Sequence, residues 1–268
     1  MANTYLFHEL HRTGRLDSGL YTESNPFLRA ERPPVDPQVL EKVKELLAQS
    51  KDLCRQRLKE NPRDQAALYA LGIAYGTEAN YELTVHRRGY AALKAGSKAR
   101  DAHERLKRLD PDSYDANLVL GLYEYTVGSI PGALKWLALL VGHRGSKKRG
   151  IELLQSAMAR GRLTTTDAAI LLTLIYNREK KYAEGRAVLK KLGENYPRNH
   201  LVPLEIAYTY LREGNEEAAL KEYAQLVEKV ERRAPGFERM PRGRRYYQIG
   251  AIHQRRENYE EALGAFAR

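Results

Sequence analysis

From Glu231 to Arg256, eight arginines (Arg232, Arg233, Arg239, Arg242, Arg244, Arg245, Arg255, Arg256) stand against two glutamates (Glu231, Glu238), a local net charge of +6. A second basic run, Arg144, Lys147, Lys148 and Arg149, lies in the glycine-punctuated stretch Gly142 to Gly150. Clustered cations of this kind attract nucleic acid, anionic surfaces or acidic partners. Pro235, Gly236 and Pro241 interrupt the longer run, so a continuous basic stripe is not expected there. Groups able to do covalent or metal chemistry are sparse. His8-Glu9-Leu10-His11 comes nearest to a metal motif, but its histidines are three apart, whereas a helical zinc pair flanking a glutamate needs four. Gly142 to Gly150 lacks the spacing of a phosphate-binding loop ending in Lys-Ser or Lys-Thr. No Cys-His cluster and no nucleophile elbow occur, and the one cysteine, Cys54, can form no intrachain disulfide and falls on the apolar side of its helix. No catalytic residue, metal or cofactor is expected, and the chain reads as a binding module.

The elements that must position these residues are helical throughout, and they recur. Tyr176 returns as Tyr210, Gly185 as Ala219 and Leu189 as Tyr223, each 34 positions on; Ile206, Ala207, Ala219 and Tyr223 return as Ile249, Gly250, Ala262 and Phe266, each 43 on. A period of 34 with small residues at fixed places marks stacked helix pairs, because two helices approach closely only where glycine or alanine takes the contact position. The expected units are about 1–62, 63–111, 112–163, 166–199, 200–233 and an incomplete 243–268. Asp36 as N-cap with Pro37 at the first helical position starts a helix that runs through Val39, Val43, Leu46, Leu47, Leu53 and Leu58 to the stop at Asn61-Pro62. Ala2 to Arg12 has helical spacing, and residues 13–36 read as a long loop. Gly72 to Gly121 and Gly121 to Thr173 each hold about 15 to 18 residues beyond the 34 of the period, so lengthened or inserted helices are expected in the early units.

This pattern resembles the tetratricopeptide-repeat family, whose signature of an aromatic, Leu-Gly, Tyr, then Ala, Phe and Pro lies along the chain copy by copy. The last copy reads Tyr246, Ile249-Gly250, His253, Ala262, Phe266, and the one before it Pro203, Ile206-Ala207, Tyr210, Ala219, Tyr223. Residues 166–199 read Ala169, Leu172-Thr173, Tyr176, Gly185, Leu189 and Pro197. Leu68, Leu71-Gly72 and Tyr75 close at Ala99, His103 and Pro111, and Leu120-Gly121 closes at Gly150 and Leu154. The resemblance implies an all-α fold: a right-handed solenoid of antiparallel helix pairs spanning 1–268, with lengthened and inserted helices in its early repeats. It also implies a non-enzymatic scaffold that holds a protein or peptide on its concave face, against the first helix of each pair. Helical spacing then puts Ile170, Leu174, Asn177 and Arg178 on that face, followed by Leu204, Tyr208, Leu211 and Arg212, and by Tyr247, Ala251, Gln254 and Arg255. Arg178, Arg212 and Arg255 form a ladder with Tyr208 and Tyr247 between its rungs, residue types that anchor protein interfaces. A basic residue at a helix C-terminus also relieves the helix dipole wherever it occurs, which is the structural reading of the same arginines. The family's carboxylate clamp does not transfer, because its positions are taken here by Ile170, Leu174, Leu204 and Tyr208.

Within the third unit, residues 121–154, GLYEYTVGSIPGALKWLALLVGHRGSKKRGIELL, are similar to a segment of a bacterial tetratricopeptide subgroup of unassigned role, and more distantly to a eukaryotic one linked to the mitochondrial outer membrane. Pro131 and Gly142 delimit an apolar helix of about three turns carrying Leu134, Trp136, Leu137 and Leu140. It is too short to span a bilayer, so it is expected to pack inside the protein, with docking to a partner or a membrane surface beside Lys147, Lys148 and Arg149 as the alternative. Binding of RNA or an anionic membrane surface through the basic patches (Lys147, Lys148, Arg149, Arg232, Arg233, Arg242, Arg244, Arg245) is the second functional reading. The chain as a whole carries a net charge of +11 with 43% apolar residues and no transmembrane or secretory segment, and a soluble protein is expected. Compartment, ligand and oligomeric state are left open by the sequence. Because the last helix stops at Arg268 after about three turns, a segment of a longer protein is expected.

Overall fold

A computed structural model describes residues 1–13, 34–131, 144–238 and 242–268, without the side chains of His11, Arg242, Arg244 and Arg245. Every regular element among them is helical: α1 (Ala2–Arg12), α2 (Pro37–Glu60), α3 (Gln65–Thr84), α4 (Gly89–Leu109), α5 (Ala116–Gly128), α6 (Lys147–Arg160), α7 (Thr165–Arg178), α8 (Tyr182–Asn195), α9 (Leu201–Glu213), α10 (Glu216–Glu231), α11 (Arg242–Arg255) and α12 (Tyr259–Phe266). The chain divides into two compact units, Met1–Ala168 and Ala169–Arg268. Within each unit helices pack on their neighbours in the chain, as in a helical repeat. None of the described helices is long and apolar enough to cross a membrane.

Unit one begins as its sequence signals predict. The Asp36 carboxylate accepts from the Gln38 N–H at 2.8 Å, Pro37 fills the first turn, and α2 closes at Asn61. Val43 and Leu47 pack with Leu6 and Leu10 of α1 and with Ala74 and Tyr81 of α3. Cys54 lies with Leu71, Tyr75, Ala99 and Ala102, on the apolar side where it was placed. Leu53, read as part of the same stripe, instead turns outward and is 60% exposed. One residue from Cys54 on a helix is about 100° away, so both cannot face the core.

The small residues do mark close crossings. A methyl group at Gly72 would collide with the His103 ring of α4, and one at Gly121 would fall 2.8 Å from the Gly150 carbonyl and 2.9 Å from Leu154 of α6. Each meets residues that the repeat pattern places in the same copy. The extra length between Gly72 and Gly121 resides largely in α3 and α4, of 20 and 21 residues, against 13 to 16 in α8, α9 and α10.

Two polar devices hold unit one together. Glu9, 2% exposed, binds Arg12 at 2.6 Å and accepts from the Asp36 N–H at 2.8 Å, while Arg12 also donates to the Pro34 carbonyl. The Arg12 guanidinium holds the Glu9 carboxyl well down, to about 2. The carboxylate of the would-be metal motif is thus occupied by an arginine. Asp115, at the start of α5, turns its carboxylate away from its own helix and accepts from the N–H groups of Arg162, Leu163 and Thr164 and from the Thr164 hydroxyl, at 2.8 to 3.0 Å. One oxygen thereby satisfies three backbone donors at the entrance to α7.

Candidate functional site

In unit two the same turn is built three times. Lys180, Gly214 and Glu257 adopt the left-handed conformation with φ of 58°, 86° and 60°. The next residue in each case donates its N–H five positions back: Lys181 to Tyr176, Asn215 to Tyr210 and Asn258 to His253, at 2.8 to 2.9 Å. The turn residues are spaced by 34 and 43, the spacings of the side-chain pattern. This double closure from the left-handed residue and its successor satisfies the last carbonyls of the first helix. Each turn leads into a second helix with a small residue turned inward: Gly185 beside Tyr176 and Asn177, Ala219 buried with Ala207, and Ala262 buried. At Gly250 an added methyl group would lie 2.6 Å from the Phe266 ring, again the pairing the sequence pattern implied.

The exposed outer stripe of these first helices is apolar with basic ends. Ile170 and Leu174 of α7 are 47% and 43% exposed, and Arg178 ends the helix in solvent. On α9, Leu204 and Leu211 are half-buried and Arg212 is exposed. On α11, Tyr247 is half-buried against Phe266, with ring centroids 5.8 Å apart, while Gln254 and Arg255 are exposed. Arg255 is not a free rung, because its Nε donates to Glu216 of α10 at 2.8 Å. Asn177 and Tyr208 differ more from expectation, being 5% and 9% exposed. Tyr208 therefore does not stand as an open platform between Arg178 and Arg212, and the surface there consists of aliphatic side chains and guanidinium groups.

Among the described residues between α10 and α11, Gly236 and Phe237 are held by unit two. Phe237, 3% exposed, enters the core of Ala207, Ala219, Tyr223, Leu226 and Ile252. The His200 ring stands 3.0 Å from the Gly236 carbonyl and packs edge-on against Phe237. The arginines of this stretch dominate its sequence, and the only local sign of the anchor is a lone phenylalanine between Gly236 and Glu238. Arg232 is paired with Glu228 at 2.7 Å, and Arg233 takes the left-handed conformation that ends α10, exposed. Arg242, Arg244 and Arg245 lie on α11, but their side chains fall outside the described set.

The other basic run belongs to unit one. Lys147 is half-buried at the start of α6, Lys148 lies 4.0 Å from Glu152, and Arg149 is exposed. The preceding turn is pinned to the end of α5, where the Ser146 N–H donates to Glu124 at 2.9 Å and Gly145 lies against the Gly128 backbone. Gly145 and Gly150 thus serve close backbone contact with α5. Leu134, Trp136, Leu137 and Leu140 lie outside the described residues. Among the described residues no cluster of histidine, cysteine and carboxylate side chains could hold a metal.

A further unforeseen pairing occurs in unit two. The Arg186 guanidinium lies 4.1 Å from the centroid of Tyr210, the repeat tyrosine of α9, and its charge is matched by Glu213 at 2.7 Å. No protein-family model matches the chain, and no curated protein matches it.

Proposed function

We propose that the chain is a tetratricopeptide-type helical repeat and that unit two serves as a non-enzymatic scaffold, binding a peptide or protein segment along the outer stripe of α7, α9 and α11. The observation that carries this reading is the exposure of Ile170 and Leu174 beside Arg178, on the first helix of a hairpin built to the same turn geometry as its neighbours. Large aliphatic side chains left in water next to guanidinium groups suit a segment that offers apolar side chains and a few carboxylates. Neither Tyr208 nor Asn177 belongs to the contact surface in this version of the groove; Ile170, Leu174, Arg178 and Arg212 do, with Tyr247 and Gln254 at its far end.

The test is a peptide-display selection against the full chain, followed by titration of selected peptides with Ile170→Asp, Leu174→Asp and Arg212→Ala variants. Affinity should fall in all three while the melting temperature stays within a few degrees, because exposed substitutions usually cost within about 0.5 kcal/mol. Selected peptides that bind every variant equally would remove the stripe from consideration. The second reading, contact with RNA or an anionic surface, is favoured by the exposed Arg149, Arg233 and Arg256. Salt separates the two, since phosphate contacts weaken steeply with ionic strength and an aliphatic groove does not.

A further inference from the structure

On the face of unit one where α2, α3 and α4 meet, three cations converge on one phenol. The Tyr75 ring has the Lys51 ammonium 5.5 Å from its centroid, the Arg55 guanidinium at 6.0 Å and the Lys98 ammonium at 5.3 Å. Arg55 also donates to the Tyr75 hydroxyl at 2.7 Å. Carboxylates answer two of the three: Lys51 pairs with Glu78 and Arg55 with Asp52, both at 2.9 Å. Lys98 is exposed, and among the described residues no carboxylate comes within ion-pair distance of it; the same holds for Lys94, one turn earlier on α4.

At Tyr123 the stacked cation brings its own countercharge. Arg100 over Tyr123 is matched by Asp101 at 2.8 Å and Glu104 at 3.5 Å. At Tyr75 the positive potential is left open toward solvent. Like charges gathered around one ring repel, and a bound anion relieves that repulsion.

We propose that this face docks an acidic, extended segment of a partner protein, whose carboxylates pair with Lys98 and Lys94. Spacing favours a chain over a single small ion. Lys51 to Arg55 and Lys94 to Lys98 are each four residues, about 6 Å along a helix. Alternate side chains of an extended strand recur at about 6.8 Å. A single phosphate would reach one rung of an open, screened surface, whereas a strand with acidic residues at every second position engages several. The site shares no residue with the unit-two stripe, so either can fail without the other.

The probe is a fluorescein-labelled decapeptide of alternating Glu and Ser, titrated by anisotropy against the full chain at low and physiological salt. Binding should weaken about tenfold in Lys98→Glu, more in the Lys94→Glu, Lys98→Glu double variant, and with added salt, while Lys190→Ala, at an exposed lysine of α8, binds as the parent does. If Lys98→Glu melts at a lower temperature, Lys98→Gln, which removes the charge without adding another, takes its place. No binding by the parent chain, or equal binding by the Lys98 variants, overturns the proposal. Displacement by inorganic phosphate at the peptide's own concentration overturns it in favour of a single-ion site. Tighter binding of oligouridylate that depends on the same lysines overturns it in favour of nucleic acid.

Discussion

The α3–α4 crossing of unit one and the α9–α10 hairpin of unit two solve one packing problem with different chemistry. In the first, Gly72 lies beneath a histidine with no exposed surface, whose Nε2 is 3.3 Å from the Tyr69 carbonyl and whose Nδ1 has no partner. In the second, the crossing is made by Ala207, Ala219 and Tyr223, and a left-handed glycine closes the turn beside it. Unit one also relies on carboxylates that reach far along the sequence, Glu9 to Asp36 and Asp115 to residues 162–164. Unit two relies on apolar contact and local turn geometry. Similar spacing of small residues can therefore produce regions that answer to different perturbations: proton concentration for one, turn composition and cavity formation for the other.

The severest challenge to the apolar account of unit two is Phe237→Ala. Truncating a ring that is 3% exposed should cost about 3 to 5 kcal/mol, and amide exchange in α9, α10 and α11 should accelerate together. Stability unchanged by the truncation would mean that Phe237 does not anchor the segment before α11.

Acidification tests the polar account of unit one. Burial drives the His103 pKa from its ordinary 6.5 down to about 4. The unfolded chain therefore takes up a proton between these values that the folded chain refuses, so stability is full above pH 6.5 and falls as pH drops toward 4. The loss amounts to about 3 kcal/mol. A second loss follows from about pH 4.5 to 2 as Glu9, held low by Arg12, is protonated. Urea midpoints measured from pH 7 to 4 should show the first slope, and His103→Leu should flatten it. A slope that survives this substitution assigns the proton uptake to another group.

Asp115→Ala should cost about 2 kcal/mol by releasing three backbone donors and a hydroxyl, with Asp115→Asn intermediate. Thermal melts of the two variants check this; equal melting of parent and Asp115→Ala would show that water replaces the carboxylate at no cost. The turns give the smallest effects. Gly214→Ala should cost about 1 to 2 kcal/mol, and Lys180→Gly or Glu257→Gly should each gain somewhat less, since they relieve the same left-handed strain. Denaturant unfolding of the three single variants and the Lys180→Gly, Glu257→Gly double variant reads both signs. A loss on either glycine substitution would break the equivalence of the three turns.

Much of the helical framework was legible because its signals are local. Asp36-Pro37 and Asn61-Pro62 bound α2, and the repeat register set Gly72, Gly121 and Gly250 in the same copies as His103, Leu154 and Phe266, the residues they meet. The candidate surface was less legible. Helical spacing put Asn177 and Tyr208 on the same stripe as Ile170 and Arg178, yet a helix packed on two sides leaves a strip narrower than that projection, and both residues fall inside it. Leu53 erred the other way, being apolar in type but on the outer side. Asp115, Glu9 and Phe237 act across distances in sequence that carry no periodic mark, so residue type alone could not reveal their partners. The Tyr75 cations likewise come from two helices more than forty residues apart.

One detail of unit one bears on how this chain tolerates change in length. Gly128 lies against Ser146 and Lys147, and Gly145 against Gly128 and the Glu124 carbonyl, so the path leaves α5 and returns to it at nearly one point. With the two ends already held together, each doubling of the chain length between them adds only about 0.6 kcal/mol of closure entropy. The junction thus offers a doorway through which foreign sequence could be spliced between residues 131 and 144 while the α5–α6 crossing keeps its register. The fold would treat such a graft as cargo hung from a hinge that is already shut.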